Sequence, residues 1–331
     1  MKKSLYLLFV FFTGILIQSC TNSTAQEQNR PDWAIIIHGG AGPFWNGNIT
    51  EEKKANFFNS LDEALSVGQE ILANGGESID AVEAAIKLLE DDPQFNAGKG
   101  AVLTSIGTAE LDASIMNGAD LNSGAVAGVR NVKHPISAAR LVMEASPHVM
   151  LAGAGAEEFA ATSKLELVEN DYFITEARLN QFENRVAALE KEKMGTVGCV
   201  AIDQFGNIVA ATSTGGTFMK KWGRVGDSPI IGAGTYANNA SCGVSATGAG
   251  EFFIRGTVAR DIAALMEYKN MSLQDAADEI IHSKLPAIDK EKAVGGIIAL
   301  DKDGNIGFSF NTKGMLRAYA NSEGIKEIGL Y

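Results

Sequence analysis

The chain has little with which to grip a polyanion. Its 331 residues include 28 Lys and Arg against 40 Asp and Glu, a formal net charge of −12, and no basic block follows Lys3. Counterion release needs clustered cations, so nucleic acid is excluded as the main partner. Cysteine is scarce. Beyond Cys20, only Cys199 and Cys242 occur, each inside a strand-like run rather than in a spaced pair. They read as two buried free thiols, with a disulfide in an oxidising compartment as the alternative. The four histidines, His38, His134, His148 and His282, are scattered without the spacing of a zinc site. After the first twenty residues no apolar run is long enough to span a bilayer. The Thr247 to Glu251 run lacks the lysine of a P-loop, and the His38 to Gly42 run lacks the later glycine and acid of a dinucleotide fingerprint.

What is present is a large apolar fraction and much glycine. With 46% hydrophobic and 21% charged residues the chain can bury a sizeable core. Glycine occupies 36 positions, above the average of about 7%, and most of the excess falls in short clusters at His38 to Gly42, Asn96 to Gly100, Thr214 to Gly216 and Thr247 to Gly250. Backbone approaches something closely there, or turns sharply.

The N-terminus reads as a targeting segment. Lys2 and Lys3 precede an apolar run from Leu5 to Ile17, and Leu16 to Cys20 resembles a lipobox. The expectation is a lipoprotein signal over residues 1–19, lipidation at Cys20, a polar tether over residues 20–32, and an exported periplasmic or cell-envelope protein whose membrane contact is that anchor alone.

Trp33 to Ile37 reads as a buried strand, and helices are predicted at Lys53 to Ala73, at Ser78 to Glu90 with Ser78 as N-cap, at Ser137 to Ala145, at Val149 to Ser163 and, more solvated, at Glu176 to Glu192. Composition changes at Met194-Gly195-Thr196. From Val197 to Thr212 the pattern is a β-hairpin turning at Asp203 to Asn207, echoed by a second from Gly295 to Phe310 turning at Asp301 to Asn305. Between them lie strand candidates at Ile230 to Ala233 and Cys242 to Ala246, and helices near Phe252 to Tyr268 and Ser272 to His282. Strands first and last, with helices grouped between, predict an α+β fold in which helices sandwich sheets.

Four places could carry chemistry. A strand opening at Thr196 behind a charged segment is where a cut would free an N-terminal threonine, whose α-amine (pKa about 7.7 to 8.0) would serve as base for its own hydroxyl. Thr214, ending the partner strand, could set a second hydroxyl beside it, or simply cap a turn. Arg224 and Asp227 could take the carboxylate and ammonium of an amino-acid head group, or pair with each other at the surface. Thr247 and Gly248 could converge on a developing oxyanion, or form only a strand-to-helix turn.

Taken in order, His38 to Gly42, Phe95 to Gly98 with Gly100, Gly124 to Val129, Ser146 to Met150, Met194 to Gly198, Thr212 to Gly216, Gly223 to Pro229 and Thr247-Gly248 resemble the plant-type asparaginase and isoaspartyl peptidase family of N-terminal nucleophile hydrolases. The resemblance runs from Trp33 to the end. It implies a four-layer αββα sandwich, self-cleavage between Gly195 and Thr196 into an α chain (33–195) and a β chain (196–331), and a homodimer of αβ units. It makes Thr196 the nucleophile, Thr214 its hydroxyl partner, Thr247 and Gly248 the oxyanion hole, Asn96 a positioning group, and Arg224 and Asp227 the clamp for the α-carboxylate and α-ammonium of a small-molecule or dipeptide substrate. No cofactor is implied for the chemistry. A structural sodium is implied on backbone carbonyls of Leu89, Glu90, Asp92, Phe95, Ala97 and Lys99. The implied activity releases aspartate from β-aspartyl dipeptides and L-asparagine. Glycosylasparaginase, which the resemblance associates with Asp before the threonine and Asn at the middle glycine of the Thr-Gly-Gly run, is the alternative within the family; Gly195 and Gly215 stand at those positions. The alternative of another class is a non-catalytic amino-acid-binding lipoprotein.

Overall fold

The computed structural model describes residues 30–42, 49–184 and 195–331. In chain order the elements are β1 Ala34–Ala41, α1 Glu51–Ala73, α2 Ser78–Asp91, β2 Leu111–Asn117, β3 Ser123–Val129, α3 Pro135–Ala145, β4 Met150–Ala152, α4 Gly153–Thr162, α5 Glu176–Glu183, β5 Val197–Ile202, β6 Ile208–Thr214, β7 Thr235–Ala237, β8 Cys242–Gly248, α6 Gly250–Gly256, α7 Val258–Lys269, α8 Leu273–Asp278, a π-helical turn Glu279–Lys284, α9 Leu285–Ile288, β9 Gly295–Asp301, β10 Ile306–Phe310, β11 Met315–Asn321 and β12 Lys326–Gly329.

Eight strands form one sheet in the order β12-β11-β1-β5-β6-β2-β3-β4, and four form a second in the order β10-β9-β8-β7. The continuous apolar run Ile35-Ile36-Ile37 shows why they stack. Ile35 and Ile37 pack with Leu61, Leu65, Val82 and Ile86 of α1 and α2, whereas Ala34 and Ile36 pack with Val244, Ile298 and Leu300 of the second sheet. Alternate side chains of a strand point to opposite faces, so a strand covered on both sides must be apolar throughout. Ile262, Ala263, Ala276 and Ile280 of the later helices cover the second sheet from outside. The result is helix, sheet, sheet, helix: the four-layer sandwich expected of the N-terminal nucleophile hydrolase type.

Both predicted hairpins form, and a buried aspartate closes each. Asp203 Oδ1 accepts from the N–H groups of Phe205 and Asn207, both at 3.0 Å; Asp301 Oδ1 accepts from Asp303 and Asn305, both at 2.9 Å. Asp203 reaches further. Its Oδ2 accepts from Ser78 N at 3.0 Å, so α2 is capped across the molecule and not by Ser78, whose predecessor Glu77 is the N-cap residue.

Other expectations are corrected. The helix expected over Val149 to Ser163 begins only at Gly153, because Met150–Ala152 pairs in parallel with the edge of β3. The strand expected at Ile230 to Ala233 is an isolated bridge from Ile231 to Thr235, and pairing with β8 starts at Thr235. The Phe252 to Tyr268 helix is broken at Thr257, whose φ of 46° is left-handed. The Ser272 to His282 helix starts at Leu273 and passes into the π turn. Strands β2, β3, β11 and β12 have no counterpart in the predicted elements. Of the solvated helix, Glu176–Glu183 forms, while Val186 and Leu189 lie outside the described residues.

Candidate active site

Strand β1 lies between β11 and β5, and β5 lies between β1 and β6, so the start of β5 sits in the middle of the large sheet. Thr196 enters there, 7% exposed. Its hydroxyl donates to Thr214 Oγ1 at 3.1 Å, and the Thr214 hydroxyl also lies 3.2 Å from Gly195 O, to which it can donate. Gly216 N donates to Thr214 Oγ1 at 3.0 Å and fixes that side chain. From the loop after α2, Asn96 Nδ2 donates to Gly195 O and Gly216 O, both at 2.8 Å. The Gly195 carbonyl therefore faces two side-chain donors.

The first glycine cluster packs against this bond. Gly40 has φ 105°, a left-handed conformation, and a Cβ on it would lie 3.0 Å from Gly195 Cα and 3.3 Å from Thr196 N. Gly198 is bare for another reason: a Cβ would collide with Ser245 Oγ and His38 Nε2. His38 belongs to a buried polar chain between the sheets. His38 Nε2 and Ser245 Oγ are 3.1 Å apart, Ser245 Oγ and Thr212 Oγ1 2.7 Å, Thr235 donates to Thr212 at 2.7 Å, and Ser114 Oγ lies 2.8 Å from Thr235 Oγ1 and 2.6 Å from Ser228 O. Burial pushes the His38 pKa down to about 3, so the ring is neutral.

Thr196, Thr214, Arg224, Asp227 and Gly248 line one cleft with Gly195, Gly216, Thr217, Gly226 and Ser228. The cleft is small and partly open to solvent. A larger open groove lined by Met266, Asn270, Asp301 and Lys302 contains none of these residues. Asn96 stands one hydrogen bond behind the cleft. Thr247 is fully buried next to Gly248, and its Oγ1 accepts from Ala41 N at 3.4 Å.

Arg224 and Asp227 do not pair as the surface alternative would have them. Arg224 forks onto Glu251, its Nε and Nη2 donating to the two carboxylate oxygens at 2.9 Å each. Asp227 is buried, its Oδ2 has no partner among the described residues, and burial pushes its pKa up to about 7 against the weaker pull of Arg224. Such a carboxylate awaits a cation. Glu251 was not among the candidates named from sequence; its place three residues past Gly248 was the available signal.

Behind β6, Glu90 is wholly buried. Its Oε1 accepts from Ser213 Oγ at 2.6 Å and Ile136 N at 3.0 Å. Its backbone belongs to the loop proposed for sodium. There Glu90 O accepts from Lys99 N at 2.7 Å and Asp92 O from Phe95 N at 3.2 Å, and a Cβ on Gly98 would overlap Glu90 O. Each of these two carbonyls keeps a second lone pair, the donor chemistry a hard cation would use there. Cys199 and Cys242 are free and buried, and burial raises both thiols.

A four-layer αββα sandwich with a buried threonine at the mouth of a central strand matches the class of N-terminal nucleophile hydrolases. Within it, the chain belongs to the asparaginase family, whose model matches residues 31–330. It is 49% identical to the isoaspartyl peptidase of Salmonella typhimurium, over 90% of this chain and 98% of that protein. Similarity to the isoaspartyl peptidase of Escherichia coli is 47% over 90% and 95%, and to the plant-type L-asparaginase of Pyrococcus horikoshii 44% over 89% and 98%.

The same comparisons correct the expected location. An exported lipoprotein anchored through Cys20 is contradicted by the comparisons, whose relatives bear the names of isoaspartyl peptidases and L-asparaginases and not of lipoproteins. The family match starts only at residue 31, and no helix among the described residues is long and apolar enough to cross a membrane. Cys20 lies outside the described residues.

Proposed function

We propose that this chain is a self-cleaving amidohydrolase that releases L-aspartate from β-aspartyl dipeptides and L-asparagine, with Thr196 as nucleophile. The observation that carries the reading is the hydroxyl pair Thr196–Thr214 set against a Gly195 carbonyl that already faces Asn96 Nδ2 and the Thr214 hydroxyl.

In the uncut chain Thr196 Oγ attacks the Gly195 carbonyl carbon, its proton passing by way of the Thr214 hydroxyl. Negative charge gathers on Gly195 O, where Asn96 and Thr214 donate. The C–N bond breaks, the Thr196 nitrogen takes up a proton as the free amine, and the resulting ester is hydrolysed by water. The α chain then ends at Gly195 and the β chain begins at Thr196. In turnover the new amine takes the proton of the Thr196 hydroxyl, which attacks the substrate's side-chain carbonyl. Thr214 steadies the nucleophile, Gly248 and Thr247 would supply the oxyanion hole, and the leaving amine takes a proton. Water frees aspartate from the acyl-enzyme.

The head group would lie between Arg224, for the α-carboxylate, and Asp227, for the α-ammonium. The loop of Leu89, Glu90, Asp92, Phe95, Ala97 and Lys99 would hold a sodium ion that fixes the Asn96 segment and takes no part in the reaction. Assembly as a homodimer of αβ units belongs to the same proposal. Hydrolysis assays with L-asparagine, a β-aspartyl dipeptide and N-acetylglucosaminyl-asparagine test it. Turnover of the first two supports the reading, and turnover of the glycosylated compound alone would replace it.

A further inference from the structure

Arg224 is already engaged. Its two N–H groups meet the two oxygens of Glu251 fork to fork, the geometry in which a guanidinium receives a free carboxylate. The Glu251 side chain is 59% exposed against 18% for Arg224. Arg224 holds the Glu251 carboxyl below its ordinary range, so it is ionised throughout the neutral region. Between them, Gly250 is bare where a Cβ would stand 2.7 Å from Asp227 Oδ1 and 2.9 Å from Arg224 Nη2. The start of α6 thereby rests on both head-group residues.

We propose that Glu251 is a specificity-determining residue that acts as an internal competitor for the carboxylate clamp. It occupies Arg224 in the empty site and yields it to a ligand that brings its own α-carboxylate. This rests on the assignment of Arg224 to the substrate α-carboxylate made above. Binding is then an exchange of one ion pair for another. The displaced Glu251 turns into water at little cost, because most of its side chain is there already. A ligand with an ammonium but no α-carboxylate cannot drive the exchange and meets Asp227 alone.

The test is calorimetric titration of L-aspartate, and of its α-amide, into the processed wild-type protein and E251Q. Removing a competitor tightens binding, whereas losing a merely structural contact weakens it. The expected result is that E251Q binds L-aspartate about two- to fivefold more tightly, the range for release of a partly exposed ion pair, with the α-amide unchanged. KM for a β-aspartyl dipeptide should fall in the same ratio. E251D, whose shorter carboxylate spans the fork poorly, should lie between the two proteins. Equal or weaker aspartate binding by both variants, or an equal gain for the α-amide, would overturn the inference. A wild-type protein that neither binds aspartate nor turns over β-aspartyl dipeptides would instead overturn the functional reading; normal turnover with no gain in E251Q overturns the competitor alone.

Discussion

Asp227 carries an uncompensated charge whose cost can be followed with pH. Its carboxyl titrates near 7 in the folded protein because burial disfavours the anion. Only the anion attracts an α-ammonium, so KM for L-asparagine should rise about tenfold per pH unit below 7, levelling at higher pH. His38, held neutral down to about 3, contributes nothing to that profile. A flat KM between pH 5 and 8 would remove Asp227 from the clamp. Stability should move the other way. A folded-state pKa above the ordinary carboxylate value means that folding takes up a proton as pH falls from about 7 towards 4, so Asp227 costs most stability above 7. Asp227→Asn should therefore raise Tm at pH 8 by about 2 °C or more and lose that gain near pH 4, while abolishing turnover; thermal melts at both pH values check it. Among residues, the sequence brought out the candidates for chemistry and not the energetics. Thr196, Thr214, Arg224 and Asp227 could be named from residue type and spacing. Glu251 could not be matched to Arg224, 27 positions away, without the turn at Gly250 that brings them together.

Elements show the same division. The hairpins β5–β6 and β9–β10 were legible because their turns carry Asp and Gly-Asn at matching positions, a local signal. The cap on α2 was not, since Asp203 lies 125 residues from Ser78. Asp203→Ala would strip three backbone N–H groups of their acceptor, those of Ser78, Phe205 and Asn207. A loss of about 2 to 4 kcal/mol in denaturant unfolding is expected; a change under 1 kcal/mol would show that water replaces the carboxylate. Met150–Ala152 makes the complementary point. Its residues read as helix, and an open edge of β3 overrides that preference, which no local pattern reveals.

At the scale of the whole molecule, the strand order decides what cleavage can do. In β12-β11-β1-β5-β6-β2-β3-β4, strands from before and after Thr196 interleave: β1 lies between β11 and β5, and β6 meets β2. A cut at Gly195–Thr196 leaves β1 bonded on both sides to the later segment, to β5 and β11, and leaves β2 bonded to β6. The two chains should therefore co-elute in native size exclusion at any practical dilution and unfold in one transition, separating only in denaturant. Fragments that part under native conditions would contradict this topology. The layering itself was legible, through strands such as Ile35-Ile36-Ile37 that are apolar on both faces, whereas the crossing of the two segments was not, because pairing partners leave no mark in a single sequence.

The most direct measurement is denaturing mass spectrometry of the purified chain and of Thr196→Ala, with β-aspartyl dipeptide hydrolysis assayed on the same samples. The parent should separate into two chains divided between Gly195 and Thr196 and hydrolyse the dipeptide, while Thr196→Ala stays one chain there and is inactive. Efficient cleavage at that bond in Thr196→Ala, or full activity from an uncut parent, would contradict the proposed function.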